Sequence, residues 1–146
     1  MTVSTMLSLL SEGFVTSLLI FVLTLLFSMP LGLAVMFGRR SRLTPLRGFI
    51  KAYISIMRGT PLMLQLMVVF YGPKLLLGVT VPGNWRFTAV IVAFVINYAA
   101  YFAEIYRSGI QSIPRGQYEA AEVLGYSRVQ TFMKIVLPQV IKRILP

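Results

Sequence analysis

The sequence predicts an all-helical integral membrane protein, and three observations predict it. Three runs, 13–37, 59–73 and 87–103, contain no charged residue. The 146 residues are 57% hydrophobic and only 12% charged, whereas a soluble domain carries about 25% charged residues. The basic side chains, which give a net charge of +10, gather in alternate connections between the runs. Only helices or closed barrels satisfy the backbone in hydrocarbon, and these runs are too long for barrel strands.

The first span is expected over 13–37. A helix crossing about 30 Å of hydrocarbon needs roughly 20 residues, so this run is long enough to tilt. Pro30 and Gly32 sit late in it and mark a place for a kink. The segment before it has no Lys or Arg, and the run exceeds a typical signal-peptide core, which argues against a cleaved leader.

The second span, about 54–73, borrows residues from its flank. Phe49, Ile50, Tyr53, Ile54 and Met57 form an amphipathic pattern suited to the interface or to membrane entry. Thr60-Pro61 reads as an N-cap followed by proline at the first helical position, where the span begins or restarts.

The third span, about 87–106, is flanked by Trp85 and Tyr106, rings that favour the headgroup level. Asn97 lies near its middle. A buried amide in hydrocarbon needs a partner, which points to a helix–helix contact or to a pathway.

Charge sets the orientation. The N-terminal segment 1–12 has Glu12 and no basic residue. The first connection holds Arg39, Arg40, Arg42, Arg47, Lys51 and Arg58, and the second only Lys74 and Arg86. Arg107, Arg115, Arg128, Lys134, Lys142 and Arg143 follow the third run. The positive-inside rule therefore places the N-terminus outside and the segment 107–146 in the cytoplasm. No basic stripe is interleaved with stacking aromatics, so nucleic acid is not an expected partner.

The segment after Tyr106 specifies a short helix, a turn and a second helix. Pro114 opens the first, at about 114–124, and Gly125 ends it in the left-handed conformation. Ser127-Arg-Val-Gln130 is a capping-box pattern. Glu119 and Glu122 are two of four acidic residues in the chain, and Ala120 and Ala121 permit close approach. Such a helix suits docking into a partner's groove, and equally an ordinary loop helix.

Glu119-Ala120-Ala121, then Gly125, then Ile135-Val-Leu137-Pro138 resembles the EAA loop of permease subunits of ABC-type importers. Arg58-Gly-Thr-Pro-Leu62 with Gln65, Tyr101-Phe-Ala-Glu-Ile-Tyr-Arg107 and Ser112-Ile-Pro-Arg-Gly-Gln117 resemble the polar amino acid branch, which includes histidine, glutamate, glutamine and cystine permeases. The resemblance covers nearly all of the chain after residue 13. It implies a helical-bundle permease domain over 13–146 in the bacterial inner membrane, incomplete at its C-terminus. It also implies that Glu119, Ala120, Ala121 and Gly125 contact a separate ATP-binding subunit through a coupling helix. ATP and magnesium then belong to that subunit. Further implied partners are an extracytoplasmic solute-binding protein, a second permease subunit of like or unlike sequence, membrane lipid, and a polar amino acid. Gln65, Asn97 and Glu104 are its candidate substrate-path residues, with a charge cluster between Glu104 and Arg107 as the simpler role for Glu104.

Other function classes fit less well. The chain has no cysteine or histidine, which removes disulfides, imidazole and thiolate metal sites and the usual nucleophile–base pairs. It has no phosphate-binding Gly-x-x-x-x-Gly-Lys loop, so no catalysis is expected of this chain. An ion-gradient transporter or channel places ionisable groups within its spans, and these runs hold none.

Overall fold

The computed structural model describes residues 3–80 and 82–145. The outermost positions of the expected boundaries, 1 and 146, lie outside the described residues. Every regular element among the described residues is helical: α1 (Val3–Arg39), α2 (Thr44–Gly59), α3 (Leu62–Leu77), α4 (Trp85–Gln111), α5 (Arg115–Val123), α6 (Arg128–Thr131), a π-helical stretch (Phe132–Val136) and α7 (Leu137–Ile144).

α1 begins ten residues before the apolar run that predicted it. Its early turns mix leucine and methionine with hydroxyl residues that bond back onto the helix. Ser8 donates to the Thr5 carbonyl at 2.9 Å, Ser11 to Ser8 at 2.8 Å and Thr16 to Glu12 at 2.9 Å. These hydroxyls satisfy themselves locally, so they do not interrupt the helix. Its 37 residues reach about 55 Å, well beyond the hydrocarbon thickness. Pro30 lies inside the helix without breaking it.

One stripe of α1 is buried: Thr24, Ser28, Gly32 and Met36, spaced four apart. It meets α4 at Ala99, Ala100 and Ala103, small residues among the buried positions of that helix. Small residues let two helices approach where lipid gives no hydrophobic drive. A Cβ added at Gly32 would lie 2.6 Å from the Phe102 Cβ and 3.1 Å from the Ala99 carbonyl oxygen. Residues 20–25 of α1 border a cavity with Phe94 and Tyr98, Gly32 sits beside 99–103, and Arg39 pairs with Glu104. The register rises on both helices, so α1 and α4 run parallel. The segment between them must return the chain to its starting side.

That return, expected over 54–73 with a beginning or restart at Thr60-Pro61, is a bent pair. α2 and α3 meet at 111°. Thr60 and Pro61 are both extended there, with ψ of 146° and 134°, as the steric demand of proline on its predecessor requires. Thr60 ends α2 and Pro61 is the cap of α3, one position later than the sequence suggested. α2 is amphipathic as its pattern predicts. Ile54 is buried with Met36, Ala100 and Ala103, and Ile50, Tyr53 and Met57 pack beside them. Phe49 points away and is exposed. The Tyr53 hydroxyl donates to the Ile96 carbonyl. α3 closes at Gly78 in the left-handed region and is tied to α4 by the Trp85 indole, which donates to the Phe70 carbonyl at 3.1 Å.

Beyond α4 the chain folds back. α7 lies on the end of α4, where Gly109 leaves room. A Cβ there would sit 2.5 Å from Ile144 Cγ2 and 3.1 Å from Val140 Cγ1. Ile113, Val136 and Val140 form a small core beneath the loop. The π-helical stretch immediately precedes Leu137-Pro138. Pro138 lacks an N–H and its ring crowds the carbonyl four residues back. The wider turn lets the helix continue through it.

Candidate functional site

Two features concentrate polar chemistry. The first is the loop α5–α6. Pro114 caps α5 with extended backbone, ψ 141°. At the other end Gly125 has φ +76°. Its N–H donates to the Glu122 carbonyl at 3.0 Å, and the Tyr126 N–H donates to Ala121 at 3.0 Å. This pair of bonds is a Schellman closure, which demands a residue that tolerates the left-handed region. Ser127 then starts α6 with a full capping box, accepting from the Gln130 N–H at 3.3 Å and donating its own N–H to the Gln130 side chain at 2.9 Å.

This closure sorts the four residues predicted to form one contact. Ala121 is 1% exposed and faces the loop's own interior. Glu119, Ala120 and Gly125 face outward. They are joined by Val123 and Leu124, 88% and 72% exposed. The sequence reading missed these two, although two bulky apolar residues before a helix-ending glycine were a visible signal. The outward face of α5 thus combines two carboxylates, Glu119 and Glu122, with an apolar tip.

The second feature lies where α2, α3 and α4 meet. Asn97 is 4% exposed. Its amide nitrogen donates to the Met57 carbonyl at 3.0 Å and to Gln65 Oε1 at 2.9 Å. Gln65 Nε2 lies 2.7 Å from Thr60 Oγ1 and 3.1 Å from the Met57 carbonyl. Carbonyls stranded by the helix break are therefore satisfied by side chains from α3 and α4. Of the two roles the sequence left open for Asn97, the geometry supplies the helix–helix contact.

Glu104 sits nearer the end of α4. Arg107 donates to it through Nε at 3.0 Å and Nη2 at 2.7 Å. Arg39 from α1 pairs with its other oxygen, and Arg58 from the end of α2 stands 3.8 Å away. The pairing with Arg107 was legible as a one-turn spacing; the convergence of Arg39 and Arg58 was not. Arg58 also lies over the Tyr101 ring, 5.5 Å from its centroid. One carboxylate thus ties the ends of three helices.

The comparisons agree with this architecture. The model of a family described as binding-protein-dependent transport system inner membrane component matches residues 28–146. The chain is 36% identical over 138 residues to the L-cystine transport system permease protein TcyB of Bacillus subtilis (strain 168), covering 94% of this chain and 57% of that protein. It is 38% identical over 135 residues to the arginine transport system permease protein ArtQ of the same organism, covering 92% and 60%. The chain therefore spans somewhat over half the length of these relatives. A crystal structure of an amino acid ABC transporter with histidines superimposes with a TM-score of 0.82 at 34% identity, covering 100% of this chain and 69% of that chain. With its long apolar helices and its matched loop, this multi-pass membrane chain belongs to the family of binding-protein-dependent transport system inner membrane components.

Proposed function

We propose that the chain serves as the membrane-spanning part of an ATP-driven uptake system for a polar amino acid, and that α5 is its docking helix for a separate ATP-binding subunit. The observation that carries this reading is the outward face of α5, where Glu119, Ala120, Val123 and Leu124 stand on a helix fixed by the left-handed Gly125. An exposed apolar tip with charged flanks is the arrangement that anchors a helix when a partner's groove covers it. The orientation follows the charge asymmetry: N-terminus outside, α5–α7 in the cytoplasm. A solute-binding protein outside, a second permease subunit and ATP with magnesium on the docked subunit complete the system.

In this reading Gln65, Asn97 and Glu104 act on the substrate path by holding its wall in shape. Their polar atoms are committed to the α2–α3 break and to the arginines.

The test is capture of the tagged chain from membranes in mild detergent, beside Gly125→Trp. An ATP-binding subunit that co-purifies with the parent and not with the variant supports the docking role. Equal capture by both removes α5 from the contact. Loss of ATP dependence in reconstituted uptake would favour an ion-gradient mechanism instead.

A further inference from the structure

The cluster around Glu104 carries more positive charge than its carboxylate balances. Two cavities share Arg107 at this end of the bundle. One, of about 940 Å³, is lined by Arg58, Glu104, Arg107, Ser108, Ser112 and Arg143 among others. The second, of about 560 Å³, adds Arg39, Arg40 and Arg115. Glu104 is the only acid among the lining residues. Its side chain is 14% exposed, while those of Arg39, Arg107 and Arg58 are 25%, 31% and 45% exposed.

The position matters as much as the charge. Glu104 directly follows the uncharged run 87–103, and Arg58 directly precedes the run 59–73. The ring therefore sits where hydrocarbon gives way to headgroups. Arginine's planar fork matches a phosphate in two-point contact. Arg143 is held in place by donation to the Ser112 carbonyl, and Arg107 Nη1 by donation to Gln111 at 2.5 Å. Arg58 is the most exposed of those facing Glu104 and rests on Tyr101. Basic pockets between helix ends on the positive side of a membrane suit anionic headgroups.

We propose that the cavity bounded by the ends of α2 and α4 and by α7 binds the phosphate headgroup of an anionic phospholipid, with Arg58 and Arg143 as its principal ligands and Arg107 between them. The bound lipid neutralises charge that Glu104 leaves uncompensated and ties the loop α5–α7 to the membrane surface. The proposal rests on the membrane placement of the chain and not on the docking of α5.

Native mass spectrometry of the chain purified from membranes tests it, with phosphatidylglycerol and phosphatidylcholine as probes. The parent should retain phosphatidylglycerol and release phosphatidylcholine. Arg58→Gln and Arg143→Gln should each weaken retention by about fivefold, the worth of one arginine near a charged surface. Arg143→Lys should hold most of it, and Arg86→Gln, at the opposite end of the bundle, should change nothing. As a check on folding, phosphatidylglycerol should raise the melting temperature of the parent relative to phosphatidylcholine. Equal retention of both lipids, or undiminished retention by the Arg58→Gln, Arg143→Gln double variant, would overturn the proposal. So would displacement by excess inorganic phosphate, which would mark a site for free anions. Lipid retention and ATPase capture are read separately, so failure of one leaves the other standing.

Discussion

Asn97 of α4 donates to Gln65 of α3 at 2.9 Å, across a break in the chain that neither helix contains. With the second bond from Asn97 to the Met57 carbonyl, this contact holds the 111° bend between α2 and α3. Asn97→Leu removes both bonds, taking the donor from Gln65 Oε1 and leaving the Met57 carbonyl to Gln65 Nε2 alone. The expected loss is about 1–3 kcal/mol, read as a fall in melting temperature in detergent. Gln65→Leu should cost less in the Asn97→Leu background than alone, because the two residues share one network. Strict additivity would show that the contact does not hold the bend.

Gly32 is a point of close approach in the α1–α4 seam. Gly32→Leu must separate the helices, since a Cβ already meets the Phe102 Cβ and an Ala99 backbone oxygen. The expected result is loss of monodisperse protein on size exclusion. Gly13→Leu, where a Cβ meets nothing within 4 Å, should behave as the parent.

Ser28 is fully buried in the same stripe, and its hydroxyl has no hydrogen-bond partner among the described residues. Removing an unsatisfied buried hydroxyl is neutral or favourable when the shape is kept. Ser28→Ala should therefore match or slightly exceed the parent's thermal stability. Ser28→Leu should resemble Gly32→Leu. A marked loss in Ser28→Ala would show that the hydroxyl is used.

Glu104→Gln leaves Arg39, Arg58 and Arg107 facing one another without their shared carboxylate. The side chains are partly exposed, so the loss should fall between the exposed and buried limits, roughly 1–3 kcal/mol. It should shrink as salt screens the arginines. A salt-independent loss would point to packing instead of charge.

Gly125→Ala forces a Cβ into the left-handed region at a cost of about 1 kcal/mol. The nearby space is open, so the strain is in the backbone alone. Faster hydrogen exchange of the Gly125 and Tyr126 N–H groups should report it, with Gly125→Asn intermediate. Unchanged protection would mean that the Schellman closure does not need glycine.

Local signals made much of this fold readable. Uncharged runs marked the two long apolar helices α1 and α4 and the bent pair between them, and Pro114, Gly125 and Ser127 marked the ends of the loop helices because capping chemistry acts within a few residues. Thr60-Pro61 announced a restart but not its angle, which depends on Asn97 and Gln65 meeting there from α4 and α3. The start of α1 at Val3 was hidden because its hydroxyl residues look like a polar loop until their bonds to preceding carbonyls are seen. The company of Glu104 was illegible because Arg39 and Arg58 come from distant parts of the chain, and the inward turn of Ala121 because it depends on the closure of α5 onto α6.

The clamp of α7 on Gly109 has a mechanical consequence. α4 is one uninterrupted rod of 27 residues, about 40 Å long, and the loop is gripped at its end by Val140 and Ile144. A push on the loop thus works as a push on a stiff lever whose far end, at Trp85, lies across the membrane. α1, zipped alongside through Gly32, stiffens that lever. Trp85 and Asn97 fasten α3 to the same lever through Phe70 and Gln65, so α1, α3 and α4 are expected to move as one piece. In the proposed uptake system, distances between spin labels on α1 and α4, and between those on α3 and α4, should then stay constant through a cycle.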